Sequence, residues 1–257
     1  MNARAWPLAS LALLVALIAG WEVGVTLSGV SALIIPAPSA IAAVLYDGLI
    51  GGFLWPHIAV TAIETALGFL LGGSVGFATG LLLGESQPLR RLLWPYILAS
   101  QVVPKLALAP ILIIWFGFGI TSTVVITALI CFFPLLENTM TGLQSASPEK
   151  RDLFRLLGAS RWQTLWRLKL PAGLPVITAG LRVAVVLALV GAVVGEFIGG
   201  SVGLGATIIA AQGMMDSALM FAVFFVITAL GLVFYQAVVV FERRLLRGWR
   251  RGGHPSS

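Results

Sequence analysis

Charge is scarce in this chain. Only 10% of its 257 residues are Asp, Glu, Lys or Arg, against about a quarter in soluble domains. With 59% hydrophobic residues and a mean hydropathy of +1.01, an ordinary water-soluble core is excluded. Cysteine is nearly absent too. The single Cys131 lies inside an apolar run, so there is no disulfide framework. Two histidines, His57 and His254, are too few for the His-rich spacing of a metal centre, and no metal site is expected. No Gly-x-x-x-x-Gly-Lys-Ser/Thr stretch occurs, so any ATP is bound by another chain. The net charge of +6 excludes less than it suggests. The basic residues gather in loops and at the ends, the pattern of membrane proteins, so nucleic acid is not implied.

What is present in quantity is long apolar runs. Several reach about 20 residues, enough for a helix rising about 1.5 Å per residue to cross about 30 Å of hydrocarbon. They are unbroken rather than alternating, which favours helices over a β-barrel. The expected fold is an all-α membrane protein, a single domain over 1–257, with six spans at about 7–27, 58–83, 94–116, 121–140, 174–197 and 218–241. The first is read as an uncleaved span rather than a signal peptide. Residues 28–56 carry no Lys or Arg and suit an external or interfacial segment, and 85–91 reads as a short polar turn. The third span holds Pro95, Pro104 and Pro110, which should bend or break it. Of the 16 Lys and Arg, 14 fall at the start, in two loops and in the tail, all on one side if both termini are cytoplasmic. Inversion would move all of them to the wrong side.

Glycine recurs every fourth residue in the second span, at Gly68, Gly72, Gly76, Gly80 and Gly84. Stripes of this kind let helix backbones touch in lipid, although glycine is also generally enriched in membrane helices. Gly180, Ala184, Ala188 and Ala192 repeat the device.

One long polar interruption, residues 145–172, holds six basic and two acidic side chains. Ser147, Pro148 and Glu149 suit a helix start, and Gly158 a stop. Ser160 and Gln163 form a capping-box pattern opening a second helix expected to end at Pro171. Leu153, Leu156 and Leu157 share one face of the first helix; Trp162, Leu165 and Trp166 share one of the second. A positively charged loop on anionic lipid headgroups would explain the sign, but not paired caps around a fixed corner.

Asp152-Leu153-Phe154, then Gly158, then Leu168-Lys169-Leu170-Pro171 resembles the signature of ABC importer permeases, Glu-Ala-Ala, three residues, Gly, nine residues, Ile-x-Leu-Pro. Glycine and Leu-Pro match in register; the triplet keeps its acid and loses both alanines. Gly158-Ala159-Ser160-Arg161-Trp162 is also similar to the family's wording. The resemblance runs from about Pro36 to Arg244. It implies a type I permease fold in the cell inner (plasma) membrane and a loop whose coupling helices dock on a separate cytoplasmic ATPase. It also implies an external binding protein, periplasmic or lipid-anchored, and, with one coupling loop per chain, a second permease chain, expected to be identical. The residues carried over as the coupling site are Asp152, Leu153, Phe154, Leu157, Gly158, Ala159, Ser160, Arg161, Trp162, Leu168 and Pro171. Val103 to Pro110, Trp115-Phe116-Gly117 and Gly195-Glu196-Phe197-Ile198-Gly199 look like the nitrate, sulfonate and taurine subgroup. Relatives with similar wording are linked to thiamine-pyrimidine precursors and riboflavin-like vitamins.

Ionisable groups inside a membrane are costly and default to functional hypotheses. Lys105, beside two prolines, is a candidate for the translocation pathway together with Gln101 one turn earlier, since a broken span lets polar groups face a cavity. Glu137 and Arg182 lie at similar depths, and are expected either to pair between packed helices or to line the pathway. Glu64 and Glu196 belong near the outer side, facing the binding protein or capping helices. Two other functions were weighed. An intramembrane enzyme would need paired acids, a metal motif or a nucleophile with its base, and the buried acids are scattered in sequence. A secondary transporter or channel would use the same broken helix and buried charges without an ATPase.

Overall fold

The computed structural model describes the backbone of residues 5–250 and the side chains of 9–246, and its regular elements are all helical. Arg4, His254 and the end of the basic tail lie outside the described residues. In order, the helices are α1 (Ala5–Ser28), α2 (Pro38–Ile50), α3 (Leu54–Glu85), α4 (Gln87–Val102), α5 (Ala109–Phe116), α6 (Ile120–Gly142), α7 (Pro148–Leu156), α8 (Arg161–Thr164), α9 (Leu170–Gly199), α10 (Leu204–Gly213) and α11 (Ser217–Arg250). Five segments are long and apolar enough to cross a bilayer; a bent pair, α4 with the stretch Lys105–Phe116, makes up to six.

The core is α6 held between α3 and α9. Its closeness follows from the glycines. A Cβ on Gly68, Gly72, Gly76, Gly80 or Gly84 would come closer than 3.0 Å to Thr127, Ala128, Phe132, Leu136 or Leu143 in turn. For Gly72 and Gly76 the atoms met are backbone carbonyls, which cannot swing aside. On the other flank Gly191 and Gly195 face Thr127 and Thr123, and Ala184, Ala188 and Ala192 are fully buried. Lipid tails are as apolar as leucine, so such helices associate through close van der Waals packing rather than through water exclusion. α10 and α11 pack on α9 and α2 packs on α11, while the described side chains of the α1 span are unburied.

The third span is broken, as its prolines lead one to expect, but it begins earlier than expected. The polar turn shrinks to Ser86, whose hydroxyl accepts the Leu89 amide at 3.4 Å, so α4 begins at Gln87. Pro95 is tolerated within α4 and Pro110 sits in the first turn of α5, where no amide is needed. The break falls at Val103–Pro104, with an 82° bend and a 3₁₀ turn over Lys105–Leu108. The segment after α9 is also more structured than its loop-like composition suggests. α10 buries Leu204, Thr207, Ile208 and Ala211.

Candidate coupling surface and intramembrane sites

The 145–172 interruption folds as two short helices about a glycine corner. Ser147 has the extended backbone of a cap, but its side chain makes no cap bond. Instead the Glu149 carboxyl, bonded to its own amide and to the Ser147 hydroxyl, is held below the usual carboxylate range. Arg151 fastens the incoming chain, donating to Ala146 O from Nε at 2.8 Å and to Gln144 O from Nη2 at 2.9 Å. At the corner Gly158 has φ +69°, which L side chains rarely adopt. Leu157 N donates to Leu153 O and Ala159 N to Phe154 O, closing α7. Ser160 and Gln163 form the reciprocal capping box: Gln163 N donates to Ser160 Oγ at 3.1 Å and Ser160 N to Gln163 Oε1 at 2.8 Å.

Two expectations are corrected. The second helix does not stop at Pro171. It passes through a π-turn at Leu165–Lys169 straight into α9, with Pro171 in the first turn of that helix. The wider turn accommodates the missing proline amide, so α8 and α9 form one continuous helical segment. Nor do Trp162, Leu165 and Trp166 share a face. Leu165 and Leu168 are buried in the core while Trp162 and Trp166 are exposed and stack edge-on at 5.4 Å.

The result is a surface of apolar side chains turned outward: Leu153, Leu156 (86% exposed), Leu157 (73%) and Trp162. Asp152, Gly158, Ser160 and Arg161 are exposed around it, with Phe154 and Ala159 half-buried. Asp152 pairs with Arg155 at 3.2 Å. Of the carried-over residues, Leu168 is buried and Pro171 half-buried. A cleft of about 550 Å³ separates this corner from the end of α3, lined in part by Leu82, Glu85, Leu89, Arg161, Trp162 and Trp166. An ion pair missed at the sequence level crosses beside it: Lys169 Nζ reaches Glu85 Oε1 at 2.8 Å. Its only signal was that both residues flank polar turns.

Within the spans, Glu137 and Arg182 do not pair. Glu137 is exposed on α6, and Arg182 Nε binds Glu242 Oε2 of α11 at 3.3 Å, with Thr178 donating to Glu242 Oε1 at 3.2 Å. Similar depth did not place them on facing sides of their helices. Lys105 is half-buried at the bend, and Gln101 is exposed a turn before it. Among the described residues neither joins an ion pair. Glu64 and Glu196 meet instead of standing apart. Each is 1% exposed, and their carboxyls lie within hydrogen-bonding reach. No group of three metal-ligating side chains occurs among the described residues.

The structure is that of a polytopic helical membrane protein with a small-residue core, one broken span and an outward apolar corner that offers a protein-contact surface between spans. Comparison with known proteins agrees. Residues 68–247 match the family model described as binding-protein-dependent transport system inner membrane component, and the chain belongs to that family. It is similar to the riboflavin transport system permease protein RibX of Chloroflexus aurantiacus, 39% identical over 94% of this chain and 91% of that one. It is 34% identical to the formylaminopyrimidine transport permease protein ThiX of Halalkalibacterium halodurans (90% and 91% covered) and 30% to the taurine transport system permease protein TauC of Escherichia coli (93% and 91%). In fold it resembles the inward-facing MetNI methionine ABC transporter, with TM-score 0.65 and 16% identity over 77% of this chain and 98% of that one. The protein is thus an inner-membrane ABC importer permease of type I fold, a transport protein and not an enzyme. The family works with a separate ATPase, which uses the ATP, and with a substrate-binding protein.

Proposed function

We propose that this chain forms one half of a pathway that takes a small solute from an external binding protein into the cytoplasm, with a second, identical chain as the other half. Both termini and the α7–α8 corner lie on the cytoplasmic side, where 14 of 16 basic residues would then collect. The observation that carries the reading is the corner itself. Leu153, Leu156, Leu157 and Trp162 are exposed on helices whose ends are fixed by Gly158 and the Ser160 capping box. An exposed apolar patch on a rigid support marks a protein contact, and here its occupant is the ATPase. Asp152, Ala159 and Arg161 form its polar rim. Leu168 and Pro171 transmit movement into α9, and Gln101, Lys105, Glu137 and Arg182 line or adjoin the pathway. Membrane lipid covers the apolar outer faces such as that of α1.

We infer a solute of the nitrate, sulfonate and taurine type, a reading supported by 30% identity to the permease named for taurine. The second reading, a riboflavin-like vitamin or thiamine-pyrimidine precursor, draws on identities of 39% and 34% to permeases so named. A binding screen on the cognate external binding protein separates the two. For coupling, Leu156→Glu combined with Leu157→Glu should abolish copurification of the ATPase and ATP-driven uptake while the chain remains folded in the membrane. Full uptake by a chain lacking residues 158–167 would sink the proposal.

A further inference from the structure

At the end of the core away from the coupling corner, Thr61 and Glu64 lie about one turn apart on α3 and face Glu196, three residues before the end of α9. Thr61 Oγ1 donates to Glu196 Oε1 at 2.6 Å and accepts the Leu204 amide at 2.8 Å. The Gly205 amide at the start of α10 donates to Glu196 Oε2 at 2.5 Å. Both oxygens of Glu196 therefore receive donors, the arrangement of a carboxylate at a helix N-terminus. Gly203 and Gly205 must be glycine for this approach. A Cβ on either would run into the Glu196 side chain within 3.0 Å. The His57 ring binds Gly203 through Nδ1 at 3.1 Å, fastening the same loop to α3.

Glu64 is the unexplained member. Its carboxyl lies within reach of Glu196 and of the Thr123 hydroxyl on α6, and Oε2 is buried with no hydrogen-bond partner. Among the described residues no Lys or Arg pairs with either carboxyl, and no third acid, His or Cys completes a metal site. Two carboxylates in contact, away from water and without a cation, cannot both be ionised. With Glu196 already supplied with donors, the acid form belongs on Glu64, where an O–H donates to the Glu196 carboxylate.

We propose that Glu64 and Glu196 form a proton-binding site, holding one proton between them, and that this proton fastens the 200–203 loop and the start of α10 to α3. Removing it puts two negative charges in contact and drives α3 from α9 at this end of the core. The groups facing the pair are the Thr61 hydroxyl on α3, the Thr123 hydroxyl on α6 and the Gly205 amide on α10, with His57 of α3 the further titratable side chain, bonded to this loop at Gly203.

The test is infrared difference spectroscopy of the full chain in lipid vesicles at neutral pH, wild type minus Glu64→Gln. The amide keeps a donor toward Glu196, so the variant should fold, and the carbonyl band of a protonated carboxyl should appear in the wild type and be lost. Thr61→Val should keep the band and shift its frequency. The folded chain holds a proton that an unfolded glutamate, titrating at about 4.3, has given up. The slopes of thermal midpoint against pH through neutrality should therefore differ by about one proton, the wild type losing more stability than Glu64→Gln as pH rises. If Glu64→Gln does not fold, the wild type alone decides, by a protonated-carboxyl band at neutral pH that alkali removes. No such band, or one unchanged in both Glu64→Gln and Thr61→Val, overturns the proposal.

Discussion

At the α7–α8 end of the core, leucine and tryptophan side chains are turned outward on short helices. At the opposite end, glutamates and threonines are turned inward among buried helices. Each arrangement inverts the usual rule of burial, and each inversion has a different cause. A contiguous apolar patch outside the spans marks a surface that a partner covers. Buried polar groups persist only where neighbours supply donors, as Thr61 and Gly205 do for Glu196. Between the two ends, the Gly68 to Gly84 stripe brings α3 into close backbone contact with α6.

The sharpest way to break this comparison is to separate the core that joins the two ends. Gly72→Leu places a side chain on the Ala128 carbonyl, where no rotamer avoids the backbone. Overpacking of a fitted core costs about 1–3 kcal/mol and more where backbone must shift. The variant should lose most folded protein in the membrane, read by thermal inactivation in detergent, whereas Gly20→Leu, whose Cβ meets nothing within 4 Å, should behave as the wild type.

The two ends were unequally legible in sequence. The α7–α8 corner was readable because its determinants are local: Gly158, the Ser160 and Gln163 pair, and leucines repeating at helical spacing. Its errors were also local. The π-turn at Leu165–Lys169 rotated Leu165 into the core and carried the helix through Pro171, and composition contains no mark of that extra residue per turn. The opposite end depends largely on contacts far apart in sequence, such as Thr61 with Glu196, 135 positions apart, and His57 with Gly203, 146 apart. Depth along a span could be estimated from residue number, but which side of a helix faces which neighbour could not. For that reason Arg182 was matched with Glu137 when Glu242 is its partner.

A smaller effect separates shape from charge at the exposed end. Gly158→Pro imposes a φ near −65° where the chain needs +69° and removes the amide that donates to Arg155 O at 3.1 Å. The cost is about 3 kcal/mol locally, and no atom within 4 Å of a Cβ there is disturbed. The chain should still fold and insert, with transport-coupled ATP hydrolysis lost. Asp152→Lys, which reverses a charge whose partner is an exposed Arg155, should change stability by less than about 1 kcal/mol while weakening docking of the ATPase.

The smallest expected effect tests whether the corner is tied to the core by more than its continuity with α9. Lys169 and Glu85, at 2.8 Å with both side chains about one-fifth exposed, connect the end of the coupling segment to the end of α3. A partly shielded pair of this kind is worth about 1 kcal/mol, too little to decide folding. We predict that it carries force from α8 to α3 alongside α9. A double-mutant cycle of Lys169→Met and Glu85→Gln should therefore show a coupling energy of about 1 kcal/mol in thermal stability. Both single variants should lower the transport rate per ATP hydrolysed without changing ATPase binding. Equal transport efficiency in all four proteins would mean that motion passes through α9 alone, with the cleft beside Trp162 and Trp166 playing no part in transmission.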